Sequence, residues 1–207
     1  MIKVSAIVEG EGEVAAVPVL LRRLHAWLTP ELPVEVDSRP IRIPRSRLLK
    51  FGDDFRRHLL LAEKKCGSSG WVLVLIDGDD DCPVELGARI RQQASVVLSR
   101  VPVGVVLAHR EYEAWFLAAA GSLQGKRRLD ITPSDLQVDA EGVRDAKGWL
   151  RMRRSPRQYD PIQDQPALSQ LMDLDQAHAR SRSFRKLCTE WSRLTRARPD
   201  PSPASDP

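Results

Sequence analysis

Cysteine is scarce in this chain of 207 residues: Cys66, Cys82 and Cys188 stand far apart and form no Cys-x-x-Cys pair. An odd, scattered set gives neither a zinc signature nor a disulfide framework, so a reducing cytoplasm is the expected compartment. Long apolar runs are missing too. No stretch approaches the ~20 residues needed to cross a bilayer, and the apolar start at residues 4–8 meets Glu9 too early for a signal peptide. No membrane partner is expected. Four histidines (His25, His58, His109, His178) show no ligand spacing. No Walker A sequence is present, so any ATP hydrolysis must come from another protein.

What is there suits a globular chain: 42% hydrophobic and 29% charged residues exclude wholesale disorder. The length fits one domain, or one domain with an appendage, with a real core. The net charge of +4 is unevenly spread: residues 1–121 hold 16 basic and 16 acidic side chains, residues 122–207 hold 16 and 12. The surplus gathers where Lys147, Arg151, Arg153, Arg154 and Arg157 follow closely on one another. Such a run suits the phosphates of a nucleic acid, and equally a solvated basic loop.

One stretch organises the rest. Residues 72–76, Val-Leu-Val-Leu-Ile, are continuously apolar and run into Asp77-Gly78-Asp79-Asp80-Asp81. An unbroken apolar run reads as a strand buried on both faces of a parallel sheet. Further strands are expected at 2–8, 34–43 (with Pro40 as an edge or a break) and 101–107. Helices are expected at 53–66, 84–98, 111–120, 167–174 and 183–194, and over the periodic segment containing Val14 to Leu28, with Pro18 in its first turn or at a kink. Strands alternating with helices imply right-handed βαβ units around a parallel sheet, an α/β class. Periodicity weakens after residues 121–125. That divides the chain into 1–121, a helical extension at 122–197 and a disordered Pro-rich tail at 198–207.

Three acidic clusters follow strands: Glu9 with Glu13, Asp77 with Asp79, and Glu111 with Glu113. In a parallel sheet all three lie at the carboxyl edge, where ligands of such sheets bind. Packed carboxylates repel and need a counter-charge; a hard divalent cation, Mg²⁺ or Mn²⁺, is the natural one. Taken singly, Glu13 and Glu113 are explained by a helix dipole, and the Asp-Gly-Asp by a polar turn. Their shared edge is the signal. Gly10-Glu11-Gly12-Glu13-Val14-Ala15 matches the dinucleotide fingerprint in form, but its glutamates would repel a pyrophosphate. An EF-hand beginning at Asp77 fails, because its sixth and twelfth positions are Cys82 and Ala88.

Val8-Glu9-Gly10 followed by Asp77-Gly78-Asp79 resembles the toprim domain of topoisomerases, primases and old-type (overcoming lysogenisation defect) nucleases. Val-Glu-Gly-x-Gly-Glu, Asp-Gly-Asp-Asp-Asp and Glu-Tyr-Glu-Ala-Trp-Phe-Leu at 111–117 resemble more closely a bacterial toprim-like family, domain of unknown function 4276. So do Lys147-Gly148-Trp149-Leu150, Asp164-Gln165-Pro166 and Ser183-Phe184-Arg185-Lys186. The resemblance implies a toprim-like, parallel four-stranded sheet flanked by helices, with a mainly helical, basic C-terminal extension. It implies Glu9, Glu13, Asp77, Asp79 and Glu113 as ligands of Mg²⁺ or Mn²⁺, with Glu9 also the general acid or base. Lys147, Arg151, Arg153 and Arg154 would hold the backbone of DNA or RNA. The expected activity is metal-dependent phosphodiester hydrolysis, in phage defence with an AAA-type ATPase partner. The alternative is a non-catalytic, metal- or nucleotide-binding regulatory subunit of an ATPase complex.

Overall fold

The computed structural model describes residues 1–156 and 158–197. Arg157 and the tail expected at 198–207 lie outside the described residues.

In chain order the elements are β1 (Ile2–Val8), α1 (Glu11–Leu28), β2 (Val34–Val36), β3 (Ile41–Arg42), α2 (Arg45–Leu48), α3 (Asp53–Cys66), β4 (Trp71–Asp77), α4 (Pro83–Val97) and β5 (Val103–Ala108). The shorter helices α5 (Ala114–Ala118), α6 (Ala120–Leu123) and α7 (Ala146–Met152) come next. Then α8 (Pro161–Leu171), α9 (Leu174–Arg180) and α10 (Arg182–Arg196) close the described fold. The sheet is open and parallel, in the order β2-β1-β4-β5, with β3 also pairing β1. Five strands replace the four expected because residues 34–43 split. Val36 pairs with Val4 and Ile41 with Ile7, and Pro40, which has no amide hydrogen to donate, lies between the two pairings.

The run 72–76 is buried on both faces, as its composition implies. Trp71, Leu73 and Leu75 join a core with α1, α8 and α10; Val72, Val74 and Ile76 join a second core under α3 and α4. The segment after residue 121 is helical and packs into the first of these cores. Leu168, Phe184, Leu187 and Trp191 sit there beside Leu20, Leu73 and Val106. Trp191 meets Trp71 edge to face at 5.6 Å and donates its indole N–H to Thr29 Oγ1 at 3.0 Å.

Two helix boundaries shift in ways that shape the site. The helix expected from residue 111 opens at Ala114, so Glu111, Tyr112 and Glu113 form the turn before it. The helix expected at 167–174 opens earlier, at Pro161. Asp160 caps it by accepting the Ile162 N–H at 3.0 Å, Pro161 occupies the first turn, and the helix runs on through Pro166. Gln165 is thereby placed on a buried helix face against α1. Among the described residues no helix is long and apolar enough to cross a membrane.

Candidate functional site

Parallel pairing of β1, β4 and β5 sends the residues after each strand to one edge of the sheet. Asp77 continues the register of Trp71, Leu73 and Leu75, so the alternation of a strand directs it to the α1 and α8 side. There Glu9, Glu13, Asp77, Lys147 and Gln165 line a cavity of about 340 Å³, with Pro161 and Ile162 at its wall. Glu13 and Glu113 are buried. Gly12 lets α8 come close: a Cβ there would overlap the Pro161 carbonyl and Gln165 Oε1.

Two carboxylates are each held by one oxygen and present the other. Asp77 Oδ1 accepts the Tyr112 backbone N–H at 2.7 Å, while Oδ2 faces the Lys147 ammonium at 3.5 Å. Glu113 Oε1 accepts the Tyr159 hydroxyl at 2.9 Å and the Gln165 amide at 2.8 Å. Its Oε2 is 3.6 Å from Lys147 Nζ, buried, and without a hydrogen-bond partner. Glu13 Oε2 accepts the Glu9 N–H at 3.2 Å across the first turn of α1. Glu9 Oε2 is buried and also without a hydrogen-bond partner.

The charges feel one another. Burial raises the pKa of Asp77 well above the carboxylate range; Glu13 and Glu113 push it further, and Lys147 opposes them. Burial also lifts Glu13 to about 7, with Glu113 and Glu9 adding to the rise. Glu9 and Glu113 are raised chiefly by burial as well. Burial works against the Lys147 charge, yet Glu113, Asp77 and Glu111 together hold it above the ordinary lysine range. Arg45 closes the outer side. Its guanidinium bonds the Asp77 carbonyl and the Asp81 carboxylate, and lies 3.3 Å from Asp79 and 3.9 Å from Glu9.

Glu9, Glu13, Asp77 and Glu113 thus come together. Asp79 stands on the rim, more than half exposed and paired with Arg45. Glu111, which is not among the ligands that the resemblance implies, grips Lys147 twice: it accepts the backbone N–H at 3.1 Å and the ammonium at 3.0 Å. Among the described residues, no group of three or more His, Cys, Asp or Glu side chains is arranged to hold a metal ion. A lysine ammonium lies within 3.6 Å of both Asp77 and Glu113. In donor chemistry the set consists of carboxylate oxygens, the type a hard divalent cation takes, and two of them, Glu9 Oε2 and Glu113 Oε2, are buried and without a hydrogen-bond partner.

The family model for a domain of unknown function, DUF4276, matches residues 8–191. The chain belongs to the DUF4276 family. No curated protein and no solved structure gives a significant match.

Of the basic residues that sequence assigned to substrate in this DUF4276 chain, Lys147 alone lines the cavity. Arg151 is exposed. Arg153 stacks on Trp149 at 3.9 Å and pairs with Asp135. Arg154 pairs with the fully buried Asp164 and bonds the carbonyls of Arg127 and Gln158. Arg153 therefore ties the end of α7 to the turn at Asp135, Arg154 ties it to α8 and to Arg127, and neither lines the cavity. Sequence reasoning passed over Arg45, Tyr159 and the role of Gln165. Only Gln165 carried a signal, as part of Asp164-Gln165-Pro166, one of the motifs on which the family resemblance rests.

Proposed function

We propose that this DUF4276 chain is a Mg²⁺- or Mn²⁺-dependent phosphodiester hydrolase acting on DNA or RNA, with a toprim-like arrangement of its acidic residues. The reading rests above all on one observation. Asp77 and Glu113, 36 residues apart on different strands' ends, each have one oxygen fixed by the fold and the other turned to a shared centre. Glu113 Oε2 is buried without a hydrogen-bond partner, which is unfavourable unless positive charge or a proton meets it, and a bound cation would meet it.

In this reading Asp77, Glu113 and Glu9 hold the ion, with Glu13 behind them and Asp79 at the rim. When bound, the ion would supply Lewis-acid stabilisation of charge developing on the phosphate oxygens. Glu9 is the proton acceptor. It lies at the cavity lining with a quarter of its side chain open to solvent, within reach of a proton-carrying water or substrate, and burial raises its pKa. Lys147 and the exposed Arg151 contact the nucleic-acid backbone, and Arg45 fixes the acidic loop 77–81. The protein works in the cytoplasm, with an AAA-type ATPase as partner.

Purified protein with plasmid DNA, single-stranded DNA or RNA in Mg²⁺ or Mn²⁺ tests this. Cleavage should require the ion and disappear in Asp77→Ala; cleavage that survives this substitution would remove the site from the reaction. A second reading draws on the ammonium among the carboxylates: a metal- or nucleotide-binding regulatory subunit of an ATPase complex. It is favoured if the protein alone is inactive and acquires activity only when its partner ATPase is added.

A further inference from the structure

We infer that Lys147 is an exchangeable internal cation of this site: a divalent ion enters by displacing its ammonium, which swings out on Glu111 to become a phosphate contact. The inference rests on the proposed metal-dependent reading and specifies how that site is loaded.

The Lys147 ammonium lies 3.0 Å from Glu111, 3.5 Å from Asp77 and 3.6 Å from Glu113. A Mg²⁺ ion binds carboxylate oxygens at about 2.0–2.1 Å. An ion bound at that distance by either Asp77 Oδ2 or Glu113 Oε2 would compete with the ammonium for that oxygen and repel the positive charge beside it. The charge on the movable side chain is the one to give way.

The carboxylates are the fixed parts. Asp77 is tied to the Tyr112 backbone, and Glu113 to Tyr159 and Gln165, both on or next to α8. Glu13 is tied to the first turn of α1. Lys147, by contrast, carries its charge on a flexible four-carbon stem. Its tightest partner, Glu111, is also the more open one: 18% of the Glu111 side chain is exposed against 0% for Glu113. Glu111 also holds the Lys147 backbone N–H at 3.1 Å, so the residue stays moored while its side chain turns. The Lys147 side chain is itself 28% exposed, so in this inference the ammonium keeps Glu111 as its partner and turns to solvent. Cation loading and phosphate contact are thus coupled through one side chain.

The test is Mn²⁺ titration calorimetry at pH 8 on the full-length protein stripped with EDTA, in wild type, Lys147→Met and Lys147→Arg. A charge within about 4–6 Å of a carboxylate changes its proton affinity by one to three decades. Removing the competing charge should therefore tighten Mn²⁺ binding at least about tenfold in Lys147→Met. Lys147→Arg, which keeps the charge, should bind no tighter than wild type. Circular dichroism checks the fold; if Lys147→Met does not fold, Lys147→Gln, which retains a donor for Glu111, takes its place. Equal or weaker binding in the uncharged variant overturns the inference and leaves the metal site standing. So does tighter binding in Lys147→Arg. Absence of Mn²⁺ binding in wild type and uncharged variant alike overturns both the inference and the metal-dependent reading.

Discussion

Asp77 accepts the backbone N–H of Tyr112 at 2.7 Å, which ties the end of β4 to the turn after β5. That bond fixes one oxygen of the acid at the end of the most apolar strand and leaves the other facing Lys147. Tyr112 is itself held below: its hydroxyl shares a hydrogen bond with Ser169 of α8 at 2.8 Å, and its ring packs on Trp115 at 4.9 Å. The acid is therefore positioned by the core rather than by a loop.

Stability without metal should depend on pH through Glu13. Its pKa is raised by burial from the ordinary value of 4.5 to about 7. A raised carboxyl binds protons more tightly folded than unfolded. Its contribution is complete below the ordinary value and is lost as pH climbs through about 7. In EDTA, Glu13→Gln should gain on wild type between pH 5 and pH 8, by up to about 3 kcal/mol at ~1.4 kcal/mol per unit. Urea denaturation of both proteins at each pH checks it; a difference independent of pH would contradict it.

Tyr159→Phe removes a buried hydroxyl bonded to Glu113 and should destabilise the protein by about 2 kcal/mol, the range for hydrogen bonds to charged groups. With Glu113 held by Gln165 alone, Mn²⁺ affinity should fall as well. Calorimetric titration separates the two effects: a loss of stability with unchanged Mn²⁺ affinity would make Tyr159 a packing residue only.

Arg154 and Arg151 should behave as opposites. Arg154→Ala leaves the fully buried Asp164 with Arg127 as its remaining ion-pair partner. Breaking a buried pair costs about 3–5 kcal/mol; with Arg127 in place about 2–4 kcal/mol is expected, read from denaturation midpoints, with no specific change in nucleic-acid affinity. Arg151→Ala should leave stability unchanged and weaken nucleic-acid binding, with a smaller salt dependence. Equal effects of the two substitutions on binding would contradict this division.

Gly12→Ala should damage the site from behind. The added methyl overlaps the Pro161 carbonyl and Gln165 Oε1, so α8 must shift away from α1. Overpacking of this kind costs about 1–3 kcal/mol, and Gln165 should lose its bond to Glu113. Thermal denaturation and Mn²⁺ affinity should both fall. Wild-type behaviour in both would show that α8 moves freely and does not position Glu113.

Much of the frame is legible in the sequence because it depends on periodicity. The apolar run 72–76 announces a doubly buried strand, and parallel strands force Glu9, Asp77 and Glu113 to one edge. The split of residues 34–43 was signalled by Pro40. What sequence did not show depends on contacts between distant segments. Tyr159 and Gln165 lie 46 and 52 residues from the Glu113 they hold; Tyr159 belongs to no motif, and the Asp164-Gln165-Pro166 motif does not say what Gln165 touches. Lys147 reads as one member of a basic run because its partners Asp77, Glu111 and Glu113 are 34 or more residues away in the chain. Its neighbours Arg153 and Arg154 look the same in sequence and are separated from it only by Asp135 and Asp164, which bind them. Pro161 and Pro166 hid the start of α8, although proline in a first turn and after an Asp cap is a favourable opening.

The most direct measurement is an anomalous-difference map from crystals of the full chain soaked in Mn²⁺. The expected result is a peak within about 2.0–2.2 Å of Asp77 Oδ2 and Glu113 Oε2, with Glu9 beside it and Lys147 turned out toward Glu111. Peaks only elsewhere, with Lys147 still bridging Asp77 and Glu113 in saturating Mn²⁺, would contradict the metal site at its centre.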